Sequence, residues 1–210
     1  MKGKFISRPT SKNISTKSKV GIIVASDLKN ESTNYFIDEM IHLISSHDIK
    51  YKLILVNEKS KVKNKAKIYN AGFNIAKQNK CDYMIFQNEN FIPTTNNLGY
   101  YLTYPVDPIN MSFHTSKNKI NVLSINISDF EKLGGFNMSS NNIGKSFHTD
   151  LKRHNIRLNL PSINSYIIQE KNNLNIKSKT KHIKQSFHNF KYEVIESHVI
   201  SDNISYYLID

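Results

Sequence analysis

The chain has 210 residues, enough for one ordinary domain or two small ones and enough to bury a real core. Hydrophobic residues at 39% and charged residues at 22%, with 11 Tyr and 11 Phe, exclude wholesale disorder. The 29 basic and 17 acidic residues leave a formal charge of +12, but only Arg8, Arg153 and Arg157 carry the planar guanidinium that suits phosphate and base recognition.

The rest of the basic excess is Lys, and its abundance beside Asn and Ile is also what an AT-rich coding genome, such as a large DNA virus's, writes at solvated positions. Cys81 is the single cysteine, so no intrachain disulfide forms. The longest clean apolar run, Val20 to Ala25, falls far short of the ~20 residues of a membrane span. These features lead us to expect no membrane crossing and a reducing compartment, cytoplasmic or viral-factory-like, rather than secretion.

Residues 1–18 hold Lys2, Lys4, Arg8, Lys12 and Lys17 with Ser and Thr around Pro9 and no acidic residue, which predicts a flexible basic tail. Attraction to nucleic acid or another polyanion would concentrate there, and a solvated leader with no partner is the equal alternative. From Lys19 onward the pattern is that of one α/β domain, 19–210. Val20, Ile22, Ile23 and Val24 predict a strand buried on both faces, and Tyr35, Phe36, Met40, Ile41, Leu43 and Ile44 recur at helical spacing. Leu53 to Val56 predicts a second buried strand, Ala66, Tyr69, Ala71, Phe73 and Ala76 a helix, and Tyr83 to Phe86 a third strand. Strand, helix and strand in this order make βαβ units with a mostly parallel sheet, whose ligands sit outside the carboxyl ends of the strands.

The second half is more irregular. Ser128 and Glu131 predict a capping box for a short helix over Asp129 to Leu133, stopped by Gly134 and Gly135. A second helix is expected from about Phe147 to His154, and alternation in Tyr192, Val194 and Ile195 and in Ile204, Tyr206 and Leu208 predicts closing strands.

The run Asn64-Lys65-Ala66-Lys67 with Asn70-Ala71-Gly72-Phe73, then Asp82 to Phe86, Asn88-Glu89-Asn90 and Pro93, resembles the beta-1,4-galactosyltransferase family. Ile127 to Asn137 with Gly134-Gly135-Phe136-Asn137, Gly144 to Arg153 and the two closing strands continue the likeness in order over the globular part of the chain. The resemblance implies a GT-A fold, a UDP-sugar half followed by an acceptor half, and transfer of a hexose to a glycan or glycoprotein acceptor with Mn²⁺ as cofactor.

The same resemblance exposes departures. Where the family has Asp-x-Asp for the metal, this chain has Asn88 and Asn90, whose amides bring no negative charge, with Glu89 between them pointing to the opposite side of an extended segment. No metal ligand is therefore assigned. In place of the family's acidic block, Asp150 is the one carboxylate kept and His148 stands about where the acceptor base belongs, although a solvated surface histidine is the plainer reading. Ala25, Ser26 and Asp27 replace the family's Pro-Phe-Arg, leaving Lys29 to reach a phosphate, and Lys65 keeps charge without the arginine fork.

Lys29, Lys65, Asn70, Asn88 and Asn90 are thus the candidates for holding the donor, and Asp150 and His148 for catalysis. Lys67 reads as part of an exposed helix face. Asp107 and Glu170 are the carboxylates to inspect as replacements from elsewhere in the fold. The rival readings are a binding module for carbohydrate or protein without turnover, and a basic nucleic-acid-associated protein.

Overall fold

The computed structural model describes residues 18–112, 120–140, 142–161, 166–168 and 190–210. The elements run β1 (Lys19–Ala25), α1 (Glu31–Ser45), β2 (Lys50–Glu58), α2 (Lys65–Gln78), β3 (Tyr83–Gln87), β4 (Phe91–Pro93) and α3 (Thr95–Leu102). They continue with β5 (Ile109–Asn110), β6 (Val122–Asn126), α4 (Ile127–Lys132), α5 (Ile143–Arg153), β7 (Tyr166–Ile168), β8 (Val194–Ser201) and β9 (Ile204–Ile209). Seven strands form one sheet in the order β5-β6-β3-β1-β2-β9-β8, and β4 pairs with β7 in a separate ribbon. β1, β2, β3 and β9 are mutually parallel, whereas β6 runs antiparallel to β3 and β8 antiparallel to β9.

Strand alternation divides the core between the two faces of this sheet. Ile23, Ile54, Val56, Met84, Phe86, Leu123 and Ile125 face α2, α4 and α5, while Val20, Ile22, Val24, Leu53, Leu55, Tyr83 and Ile85 face α1 and the Tyr101 end of α3. The first face is rich in aromatic rings. Phe136 lies 4.8 Å from Phe86, 5.2 Å from Phe130, 5.4 Å from Phe147 and 5.7 Å from Tyr69, centroid to centroid, so four elements meet on one ring. Gly72 brings the backbone of α2 down onto β1, because a Cβ there would stand 2.3 Å from Ile23 Cγ2.

The three parallel strands and two long helices of the first half occur where the hydrophobic pattern puts them, as do the two closing strands. Three details differ. The short helix after β6 starts at Ile127, and its cap is Asn126, whose side chain accepts from the Asp129 amide at 2.8 Å, so Ser128 does not cap it. Its stop is as expected, with Gly134 at φ 73°. α5 begins at Ile143, four residues ahead of Phe147, because Asn142 caps it by accepting from the Lys145 amide. The pattern also hid α3, β5, β6 and the β4–β7 ribbon. Residues 1–17 of the basic tail, and Glu170, lie outside the described residues.

Candidate functional site

The loops after β1, β2 and β3 meet at the carboxyl ends of the parallel strands, where the fold places a ligand. After β1, the Ser26 amide donates to Val56 O at 3.0 Å and continues the sheet by one residue, and the Asp27 carboxylate folds back onto the Lys29 amide at 3.1 Å. Asn30 then caps α1. This leaves Lys29 exposed at the loop's rim, and Ser26 Oγ is buried with no hydrogen-bond partner.

At the end of β2 stands Glu58, buried at 4% exposure, a residue that the sequence reading did not single out. One carboxylate oxygen accepts from the Asn64 amide at 2.6 Å and the other pairs with Lys67 Nζ at 3.0 Å, while Lys63 Nζ donates to the Glu58 carbonyl. Glu58 therefore fixes the entry to α2. Lys67 is half-buried and ion-paired, so it is part of this clamp and not a free solvated face. A carboxylate directly after the buried run Leu53 to Val56 and Asn57, nine positions before a Lys, was the available signal.

The Asn64 side chain caps α2 by accepting from the Lys67 amide at 3.2 Å and donates to Met138 O at 3.1 Å, tying the helix start to the segment before α5. Lys65 Nζ lies 5.3 Å from the centre of the Tyr69 ring, a cation–π distance. Asn70 does a different job from the one expected. It is 0% exposed, donates to Phe136 O at 2.9 Å and accepts from the Phe136 amide at 2.9 Å. Its amide is consumed in locking the Gly134-Gly135-Phe136 turn to α2, and it offers no group to a ligand.

Beyond β3, Asn88 Oδ1 accepts from the Asn90 amide at 3.1 Å and the Phe91 amide donates to Asn88 O at 2.9 Å, making a tight turn. Asn88 is also tied to β6's entry by its amide, which donates to Asn121 O at 2.8 Å. Glu89 is 5% exposed and accepts from Thr33 Oγ1 of α1 at 2.7 Å. Asn90 Oδ1 is buried without a partner. The one carboxylate of the turn is thus engaged with α1, leaving Asn88 and Asn90 to present neutral oxygens.

On α5, Gly144, Phe147 and Leu151 form the buried stripe. His148 flanks it with Nε2 buried and unpartnered, and burial, with Lys152 nearby, lowers its pKa from the ordinary value of 6.5. The Asp150 carboxyl pairs with Arg153 at 3.1 Å within the same helix, yet burial raises its pKa above 3.8, with Arg153 and His154 opposing the shift. His148 and Asp150 are two positions apart, about 200° around the helix, so they do not form a side-by-side pair. Asp107 accepts from Asn159 Nδ2 at a long 3.4 Å, bridging the segment before β5 to residue 159. Among the described residues no group of three or more His, Cys, Asp or Glu side chains could hold a metal ion. No helix among them is long and apolar enough to cross a membrane.

Residues 3–103 match the family model for the N-terminal region of glycosyl transferase group 7. The fold matches Drosophila beta-1,4-galactosyltransferase 7, solved as a point mutant with manganese, UDP-Gal and xylobiose, at a TM-score of 0.73 and 16% identity over 91% of this chain and 93% of that one. The fold is therefore GT-A-like, of the kind seen in that galactosyltransferase. The catalytic domain of the same Drosophila enzyme in complex with xylobiose superposes at 0.72, again at 16% identity, with the same shares of both chains covered. No curated protein matches the sequence as a relative. Within this fold the contacts of Asn70 with Phe136 tie α2 to the turn after α4.

Proposed function

We propose that this galactosyltransferase-like chain binds a UDP-sugar at the carboxyl ends of β1, β2 and β3 without the metal that its structural relative holds, and that hexose transfer to a glycan acceptor is impaired. The observation that carries the reading is the commitment of Glu89 to Thr33, 2.7 Å away inside the protein. Mn²⁺ and a diphosphate need anionic oxygen donors between them, and the Asn88-Glu89-Asn90 turn offers neutral amides instead. The residues present do not fit the ion.

Positive charge for the diphosphate then comes from side chains. Lys29 stands at the rim after β1 and Lys65 opens α2, whose first amides also favour an anion. A lysine contributes charge but not the forked geometry or the Lewis acidity of a metal, so the charge that builds on a departing UDP is stabilised less. Asp150 is the carboxylate to take the acceptor proton. Its raised pKa makes it a stronger base than an ordinary aspartate, while its ion pair with Arg153 restrains it within α5. The drosophilid enzyme's complexes with UDP-Gal and xylobiose support a sugar nucleotide and a glycan as the ligands to try first.

The test is calorimetric titration with UDP-galactose and UDP-glucose, alongside product analysis with a xylose-based disaccharide acceptor. Binding that weakens about tenfold in Lys29→Ala or Lys65→Ala, with turnover slow and abolished in Asp150→Ala, is the expected result. Saturating sugar nucleotide without any heat or stability change would overturn it and leave the non-catalytic partner-binding module.

A further inference from the structure

β8 ends the seven-stranded sheet, and all eight of its residues are exposed. Four of the eight large apolar side chains that are exposed among the described residues sit on this one strand: Val194 at 42%, Ile195 at 43%, Val199 at 76% and Ile200 at 48%. An apolar edge with free backbone donors and acceptors is a template for another strand.

The sequence of the edge is complementary to itself. Reading Val194-Ile195-Glu196-Ser197-His198-Val199-Ile200 against a second, antiparallel copy centred on Ser197 places Val194 opposite Ile200, Ile195 opposite Val199 and Glu196 opposite His198, each pair occurring twice. Every apolar side chain meets an apolar one, and every acidic side chain meets a basic or neutral imidazole. Within one chain Glu196 already pairs with His198 at 2.5 Å, so the two side chains share a face and two copies would bring four such groups together.

Edge strands are commonly blunted by bulges, and β8 has irregularities between Val194 and Glu196 and between Val199 and Ser201. They fall at the ends of the run. Between them Glu196, Ser197, His198 and Val199 face Leu208, Tyr207, Tyr206 and Ser205 in unbroken register, and Ser197 lies in this regular stretch. We propose that β8 pairs antiparallel with β8 of a second copy of this chain, about a two-fold axis through Ser197, joining two sheets into one. Such a symmetric contact is self-complementary and closed, as a two-fold dimer requires.

The register gives a sharp test. Residues directly opposite in an antiparallel pair have Cα atoms about 4.5–5.5 Å apart, inside the disulfide range, whereas diagonal neighbours lie about 7–8 Å apart, beyond it. Oxidising Ser197→Cys should give a covalent dimer in high yield, and Glu196→Cys, whose partner position is His198, should not. The native Cys81 does not compete, since it is buried and burial pushes its thiol up to about 11.

Sedimentation velocity on the full chain at about physiological ionic strength should show a concentration-dependent dimer. The double variant Ile195→Lys with Val199→Lys sets ammonium groups opposite each other at exposed positions, and should weaken dimerisation at least about tenfold with an unchanged melt. Glu196→Lys should weaken self-association, and mixing it with His198→Glu should restore a heterodimer. A wild-type chain that sediments as a monomer throughout, equal cross-linking of both cysteine variants, or a dimer that survives the double lysine substitution would overturn the proposal.

Discussion

Asn70 is where the structure and the family motif make different forecasts. Its side chain closes two hydrogen bonds of 2.9 Å with the amide and carbonyl of Phe136, and neither residue is more than 1% exposed. Asn70→Ala leaves both backbone groups buried and unpaired. At about 1–3 kcal/mol for each unsatisfied group, partly relieved by any water that enters the space vacated, the loss should be about 3–5 kcal/mol. For a chain of this size that is a fall in Tm of about 6–20 °C. Asn70→Asp keeps an acceptor for the Phe136 amide but turns a carboxylate oxygen towards the Phe136 carbonyl, so it should be at least as damaging. Urea unfolding followed by circular dichroism reads both variants, with the slope checked for two-state behaviour. An Asn70→Ala midpoint within about 0.5 kcal/mol of wild type, with sugar-nucleotide affinity reduced, would refute the structural role and return Asn70 to the donor site.

Three further outcomes follow from the same geometry. Gly72→Ala gains helix propensity but drives a methyl group to 2.3 Å from Ile23 Cγ2, so overpacking should win by about 1–3 kcal/mol; a raised Tm would contradict this. Glu58→Gln removes the partner of Lys67 and weakens the acceptor for the Asn64 amide, and should cost about 1–3 kcal/mol in denaturant unfolding, less at high salt than at low salt. His148 has a folded pKa below 6.5, so the unfolded chain binds its proton first. Its contribution is full above pH 6.5 and is lost as pH falls from there through the lower folded value. In His148→Gln that part of the acid sensitivity should disappear from the stability–pH curve; parallel curves for variant and wild type would contradict the burial of the neutral ring.

The first half of the fold was legible because each buried strand is a short β-branched or aliphatic run and each long helix carries one apolar stripe. β6 was less visible: Val122-Leu123-Ser124-Ile125-Asn126 contains two polar residues that are nonetheless buried, with Asn126 donating to Pro105 O at 3.1 Å. α3 escaped because its first turn, Thr95 to Asn97, is polar and its capping box pairs Thr94 with Asn97, whose Oδ1 accepts from the Thr94 amide, in place of the usual Glu or Gln. The site was legible only in outline. The family resemblance picked out the positions of Asn88, Asn90 and Asp150, but a likeness along the chain says nothing about which partners a side chain meets in three dimensions. The locking of Asn70 to Phe136, 66 positions away, and of Glu89 to Thr33, 56 positions away, depends on the packing of α2 and α1 against the sheet. Glu58 shows the converse, a buried carboxylate at the strand end whose importance comes entirely from what folds over it.

The central claim is that this site takes a sugar nucleotide without a divalent ion. Isothermal titration with UDP, in Mn²⁺ and again in chelator, tests it most directly. The account predicts binding in both conditions with affinities within about twofold of each other, since the turn after β3 offers the ion no free carboxylate. An affinity raised tenfold or more by Mn²⁺ would contradict it, and would mean that Glu89 leaves Thr33 or that another carboxylate reaches the site.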